Sequence, residues 1–319
     1  MSIHRLFLTV LLCVVGTVCA QDFPTGTVRI VSPYTAGGSN DAVARMLAGK
    51  LAERWGKPVI VENRPGANAI TGSDHVAKAR PDGHTLLTIP AAHVTNPYLQ
   101  QKMPFNPLTD LTAVTIVGTI PFMLAVNPQL PVRNVKELVA HARAHPGKLT
   151  FASNGAGSGA HLAGELFAQA AEVQMLHVPY RGTSAALPDV LSGQVSMIFD
   201  AIQPLAPHLR SGRLRPLAVT GGARWPTEPE VPTAAESGLP SLVAETWIAL
   251  VTTAGTPSAV AERIARDVTA VLEQPDVRER LNGFGIVPVG GTPAAANRFV
   301  ADESAKWGRV IKSANIKID

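Results

Sequence analysis

Short apolar runs alternate along the chain with stretches whose hydrophobic residues recur at helical spacing. Val28-Arg29-Ile30-Val31 has the β-branched run of a strand, and after Gly37-Gly38-Ser39-Asn40 the positions Val43, Leu47 and Leu51 predict a helix over 41–55. Val59-Ile60-Val61 predicts a second strand, 71–79 a helix and 85–89 a third strand. This βαβαβ order implies a parallel sheet with right-handed crossovers.

The pattern then restarts. A long β-prone stretch over 113–126 is interrupted by Pro121. After it, helices at 135–145, 158–171, 183–191 and near 205–210 alternate with strands at 149–152, 175–178, 195–199 and 214–220, which reads as a second α/β unit. A proline-rich passage from Trp225 to Pro240 precedes a strand at 247–252, helices at 257–273 and 276–282, a strand at 286–289 and a helix from Pro293 to 311. Two strands cannot make a sheet of their own, so the C-terminal third is expected to return and complete the first domain. The expected division is 21–119 plus 241–319 for domain 1 and 120–240 for domain 2. Chain crossings near 118–121 and 239–245 would form a hinge, and a cleft between two such domains suits a small ligand.

Composition narrows the class. Of 319 residues, 46% are hydrophobic and 16% charged, which excludes a disordered polyelectrolyte. The 28 basic and 24 acidic residues are interspersed, so no concentrated basic face for nucleic acid is implied. At the N-terminus, Arg5, an apolar run over 6–15 and Val18-Cys19-Ala20 read as a secretory signal at 1–20, cleaved after Ala20 and too short to span a bilayer. Lipidation at Cys19 would want a small residue where Val18 stands. Both cysteines, Cys13 and Cys19, lie in that segment, so the exported chain is expected to carry no disulfide or thiolate chemistry.

Two glycine-rich strand-to-helix turns carry the candidate chemistry. One is Pro33-Tyr34-Thr35-Ala36-Gly37-Gly38-Ser39-Asn40-Asp41, and the other is Ala152-Ser153-Asn154-Gly155-Ala156-Gly157-Ser158-Gly159-Ala160-His161. Each offers backbone N–H groups and the positive end of a helix dipole, so each suits an anion. As ordinary loops, they would use Asn40 and Ser158 as helix N-caps. Gly155, Gly157 and Ala160 also fit the dinucleotide pattern G-x-G-x-x-A, although Arg181 follows the next strand where an acidic residue is expected. An exported enzyme or nucleotide-dependent protein using that loop is therefore the alternative. A nucleophile elbow at Ser158 fails, because Ala156 and Ala160 stand where glycines are needed. His141 and His145 have the spacing of a metal pair without the glutamate of a zincin, and read as solvated residues at a helix end.

At these turns the chain resembles the Bug family, periplasmic solute-binding proteins of tripartite tricarboxylate transporters. The resemblance rests on 33–41 with Ala44-Arg45, on Glu62-Asn63-Arg64-Pro65-Gly66-Ala67, and on 79–86, 152–167 and Val178-Pro179-Tyr180-Arg181-Gly182. Gly193-Gln194-Val195 through Phe199-Asp200 completes the set, which spans the exported chain. It implies an α/β, two-lobed, type II binding-protein fold, each lobe a mostly parallel sheet flanked by helices. It further implies a monomer without cofactor, metal or catalysis that presents a small carboxylate to a membrane permease. The residues carried over for ligand binding are Ser153, Asn154, Gly157, Ser158 and His161 against Tyr34, Ala36, Gly37, Gly38 and Asp41, with bridging waters. Tyr180, Thr183 and Asp200 would meet the distal part of the ligand, with Asp200 open as a structural acceptor and His161 open as packing beneath the turn. Departures at Ala36, Asn68, Ser184-Ala185-Ala186 and Tyr34 leave di- and tricarboxylates, amino acids and aromatic carboxylates all admissible.

Overall fold

A computed structural model describes residues 23–99 and 102–316, so the expected signal segment and both cysteines lie outside the described residues. The first unit runs β1 (Val28–Ser32), α1 (Ser39–Trp55), β2 (Val59–Asn63), α2 (Ile70–Ala77), β3 (Thr85–Pro90) and α3 (Ala92–Leu99). The chain then forms β4 (Leu111–Val126), α4 (Val135–Ala144), β5 (Thr150–Ser153), α5 (Gly159–Ala171), β6 (Leu176–Pro179), α6 (Thr183–Ser192) and β7 (Met197–Ala201). It continues as α7 (Ile202–Arg210), β8 (Arg215–Val219), β9 (Glu245–Thr253), α8 (Ser258–Leu272), α9 (Pro275–Gly283), β10 (Val287–Gly290) and α10 (Pro293–Ser313).

The strands lie in the order β2-β1-β3-β9-β4-β7-β5-β6, with β8 and β10 also paired to β4. Within each βαβ part the strands are parallel: β2-β1-β3 in one lobe and β6-β5-β7 in the other. The strands that join the lobes run the opposite way, so β3-β9, β9-β4, β4-β7 and β4-β8 are antiparallel. "Mostly parallel" therefore holds away from the hinge and not at it, because β4 leaves one lobe as β9 returns to it.

β4 is one continuous strand through Pro121, where an interruption was expected. Proline cannot donate to a ladder. Here it sits where the ladder changes partner: Pro121 lies opposite Glu245 of β9, and the next residue, Phe122, lies opposite Ala201 of β7. The Phe122 amide donates to Thr220 Oγ1 at 3.0 Å, fixing this crossing to the end of β8.

Helix α3 has no counterpart among the expected elements. Its sequence, Ala-His-Val-Thr-Asn-Pro-Tyr-Leu, has β-branched residues and an internal Pro97 and is a poor helix former. Tertiary contacts make it: Val94 and Leu99 enter the core, and Asn96 donates to the Asn68 carbonyl at 2.9 Å. One apolar cluster joins β3, β4, β9, α5 and α10, linking both lobes behind the cleft.

Candidate functional site

The turn between β1 and α1 is built around a buried carboxylate. Asp41 is 3% exposed; its Oδ2 accepts from the Gly37 amide at 3.0 Å and from Arg45 Nε at 2.9 Å, and its Oδ1 accepts from Asn63 Nδ2 at 2.8 Å. These donors outweigh burial and hold its pKa below the usual carboxylate value. Asp41 thus shapes the turn from below, while Ala36 and Gly37 stand exposed at its tip. The expected cap is different too: Gly38 is the N-cap of α1, and no side chain caps the helix. Asn40 lies inside the first turn, where its Oδ1 accepts from Thr88 Oγ1 at 2.6 Å and Ser32 Oγ at 3.3 Å, tying β1 to β3.

In the second turn, Ser158 caps α5, its Oγ accepting from the His161 amide at 3.2 Å. Gly157 has φ +71°, a left-handed conformation that glycine adopts at little cost. Its amide donates to His161 Nδ1 at 3.0 Å, which makes Nδ1 an acceptor and turns Nε2 toward Glu165 Oε1 at 3.6 Å. His161 therefore packs beneath the turn, 7% exposed and stacked on His177 with ring centroids 3.6 Å apart. His177 Nε2 lies 2.6 Å from Ser153 Oγ. Burial, and then the neighbouring His161, lower the His177 pKa to about 4, so the ring is neutral. Ser153 is fully buried, and this serine–histidine pair presents no nucleophile to a substrate.

The remaining expected contacts are also committed within their own lobe. Thr183 Oγ1 donates to Asp200 Oδ2 at 2.5 Å and the Ala201 amide to Asp200 Oδ1 at 2.7 Å, leaving Asp200 3% exposed as an internal acceptor. Burial raises its pKa against those two donors. The Tyr180 hydroxyl donates to Asp189 Oδ2 at 2.5 Å; burial first, then that carboxylate, push its pKa up to about 12. Asn154 is exposed.

Four of the expected residues meet at the cleft. Tyr34 from one lobe and Gly157 and Ser158 from the other line a cavity of about 190 Å³, closed at the hinge by Glu245 and Thr246. Gly38 joins Tyr34 in an adjoining cavity of about 320 Å³ that reaches Trp247. Burial raises the Tyr34 pKa, keeping its hydroxyl a neutral donor. A larger groove of about 610 Å³ lies between α8 and the start of α10, lined by one lobe alone and by neither glycine turn. The cleft is thus the place where α5 presents amide hydrogens that have no helical acceptors.

A family model described as "Tripartite tricarboxylate transporter family receptor" matches residues 43–316. The chain belongs to that family. Protein BugT of Bordetella pertussis is 35% identical over 307 residues, covering 96% of this chain and 94% of BugT. A solved R. palustris protein with adipate is 34% identical with a TM-score of 0.74, covering 93% of this chain and all of its own. MatC from Rhodopseudomonas palustris with bound malate is 32% identical with a TM-score of 0.69, covering 91% of this chain and all of MatC. The Bug-type, two-lobed binding-protein fold implied by the resemblance is the fold of this receptor.

Several cleft residues of the receptor escaped the sequence reading: Thr95, Glu245, Thr246 and Trp307 all line the cavity. Asn68, expected as a departure from the family pattern, also lines the cavity, and it takes φ +50° in a left-handed run from Ala67 to Ala69. Trp307 comes from the last helix, and nothing local in the sequence brings α10 to the cleft.

Proposed function

We propose that this receptor is a monomeric periplasmic solute-binding protein that closes on a small carboxylate and delivers it to the membrane permease of a tripartite tricarboxylate transporter, without catalysis. The observation that carries this reading is one cavity lined by both glycine turns, with the N-terminus of α5 opening into it. A carboxylate there accepts charge-assisted bonds from backbone amides and needs no cation. The Gly157 amide, held by His161 Nδ1, is the donor a ligand oxygen must share or take over, while Ser158 and Tyr34 offer hydroxyls. Adipate and malate in the solved relatives support a small carboxylate as the ligand class. The division into 21–119 plus 241–319 and 120–240, with closure about the crossings at Pro121 and Glu245, belongs to the same proposal. So does export through a signal at 1–20 cleaved after Ala20.

Calorimetry of refolded, ligand-stripped protein against a panel of small carboxylates tests the function, and binding by at least one member is expected. No heat from any member at millimolar concentration overturns it. Gly157→Val adds a β-branched side chain at φ +71°, strains the turn by about 1–2 kcal/mol and blocks the ligand's approach. The variant is expected to fold, with unchanged circular dichroism, and to lose binding by a factor of about a hundred or more. Unchanged affinity would place the anion elsewhere.

A further inference from the structure

Among the described residues lining the cavity between the lobes, Glu245 is the only one with a charged side chain, and the adjoining cavity adds none. An acidic side chain is unexpected in a cleft that attracts an anion. Its place in the fold is specific. Glu245 opens β9 opposite Pro121, so it stands where the two crossings meet. Its carboxylate leans on the loop after β8: a Cβ at Gly221 would lie 2.6 Å from Glu245 Oε1 and 2.9 Å from Pro121 Cβ, so only glycine leaves room for it there.

Among the described residues, no cation forms an ion pair with this carboxylate. Lys306, which acts on it electrostatically, is bonded to the Glu303 carboxylate and donates to the Val243 carbonyl at 3.1 Å. Burial raises the Glu245 pKa and Glu303 adds to it, while the Thr119 hydroxyl, Lys306 and the Gly222 amide oppose the rise. The cavity therefore has two unlike ends. At one, the N-terminal end of α5, beside Gly157, Ser158 and Gly159, attracts negative charge; at the other, a hinge carboxylate repels it.

Lobe closure removes water and strengthens both effects. A second carboxylate at the hinge end would face a like charge in a low dielectric, whereas a protonated amine there gains an ion pair with charge-assisted hydrogen bonds. We propose that Glu245 makes this receptor selective for a small carboxylate bearing a cationic nitrogen at its other end, with the carboxylate on the turn at Gly157-Ser158 and the nitrogen on Glu245. The proposal rests on the carboxylate-binding reading above and adds the partner for the distal end.

The test uses chain-matched probes on ligand-stripped protein at neutral pH: γ-aminobutyrate against succinate, and ε-aminocaproate against adipate. In the wild type the amino member of at least one pair is expected to bind about tenfold tighter or more than its diacid. Glu245→Gln is expected to erase or reverse that preference, and Glu245→Asp, which keeps the charge, to retain it. A wild-type preference for the diacids overturns the proposal, as does a ratio that Glu245→Gln leaves unchanged; carboxylate binding itself then still stands. Diacid binding that strengthens at lower pH with proton uptake also overturns it, since Glu245 would then act as a neutral acid. If all four probes fail while other carboxylates of the panel bind, the assignment of Glu245 falls alone. If nothing binds, it falls together with the function.

Discussion

His93 shows what burial does to a side chain that otherwise titrates near neutrality. It is 3% exposed on α3, and its Nε2 lies 2.9 Å from the Pro107 carbonyl. Burial, against that one bond, lowers its pKa from 6.5 to about 4. The unfolded chain thus takes up a proton that the folded chain refuses. Stability from this group is complete above pH 6.5 and is lost progressively as pH falls toward about 4, a loss on the order of 3 kcal/mol. His177, lowered by burial and by His161, acts in the same direction. Urea unfolding over that range is expected to show falling stability, with a shallower slope in His93→Gln, which retains a donor for Pro107. An identical slope in the variant would remove His93 as the cause. The same scale explains the mixed fate of the expected site residues. Ser158 was legible because capping is a local demand of a helix start. Asp41, Ser153 and Asp200 have the right chemistry in the right turns, yet their oxygens are taken by neighbours distant in sequence, Asn63, His177 and Thr183.

Helix α10 carries the clearest case of an element held by one side chain. Glu303 Oε2 accepts from Trp247 Nε1 on β9 at 3.2 Å and from Trp307 Nε1 at 2.8 Å, and Lys306 bonds its other oxygen. Glu303→Leu strands both indole N–H groups in the interior and is expected to cost about 2–4 kcal/mol. A change under about 0.5 kcal/mol in urea unfolding would mean that packing alone docks α10. Amphipathic helices and β-branched strands were readable along most of the chain because their periodicity is local. The exceptions are α3, which forms against its own propensity, and β4 at Pro121, which is tolerated because the ladder changes partner there.

Among the described residues the two βαβ units are joined through β4, β9 and the elements packed behind them, so a ligand bound in the cleft as proposed would touch both. At a hundredfold excess over its Kd a bound carboxylate is expected to add about 2.7 kcal/mol to unfolding stability. Gly157→Val is expected to show no such gain; an equal gain in both proteins would locate the ligand outside the turn. The sequence by itself determined two α/β units, a chain that returns to its first unit, and two glycine-rich strand-to-helix turns, because hydrophobic period and glycine placement are properties of neighbours in the chain. Only the tertiary structure decided which side chains reach the cavity. It set Asp41 and His161 beneath their turns, brought Trp307 from the last helix, and placed Glu245 at the hinge, since those positions depend on how strands far apart in sequence pair and where the paired crossings leave space.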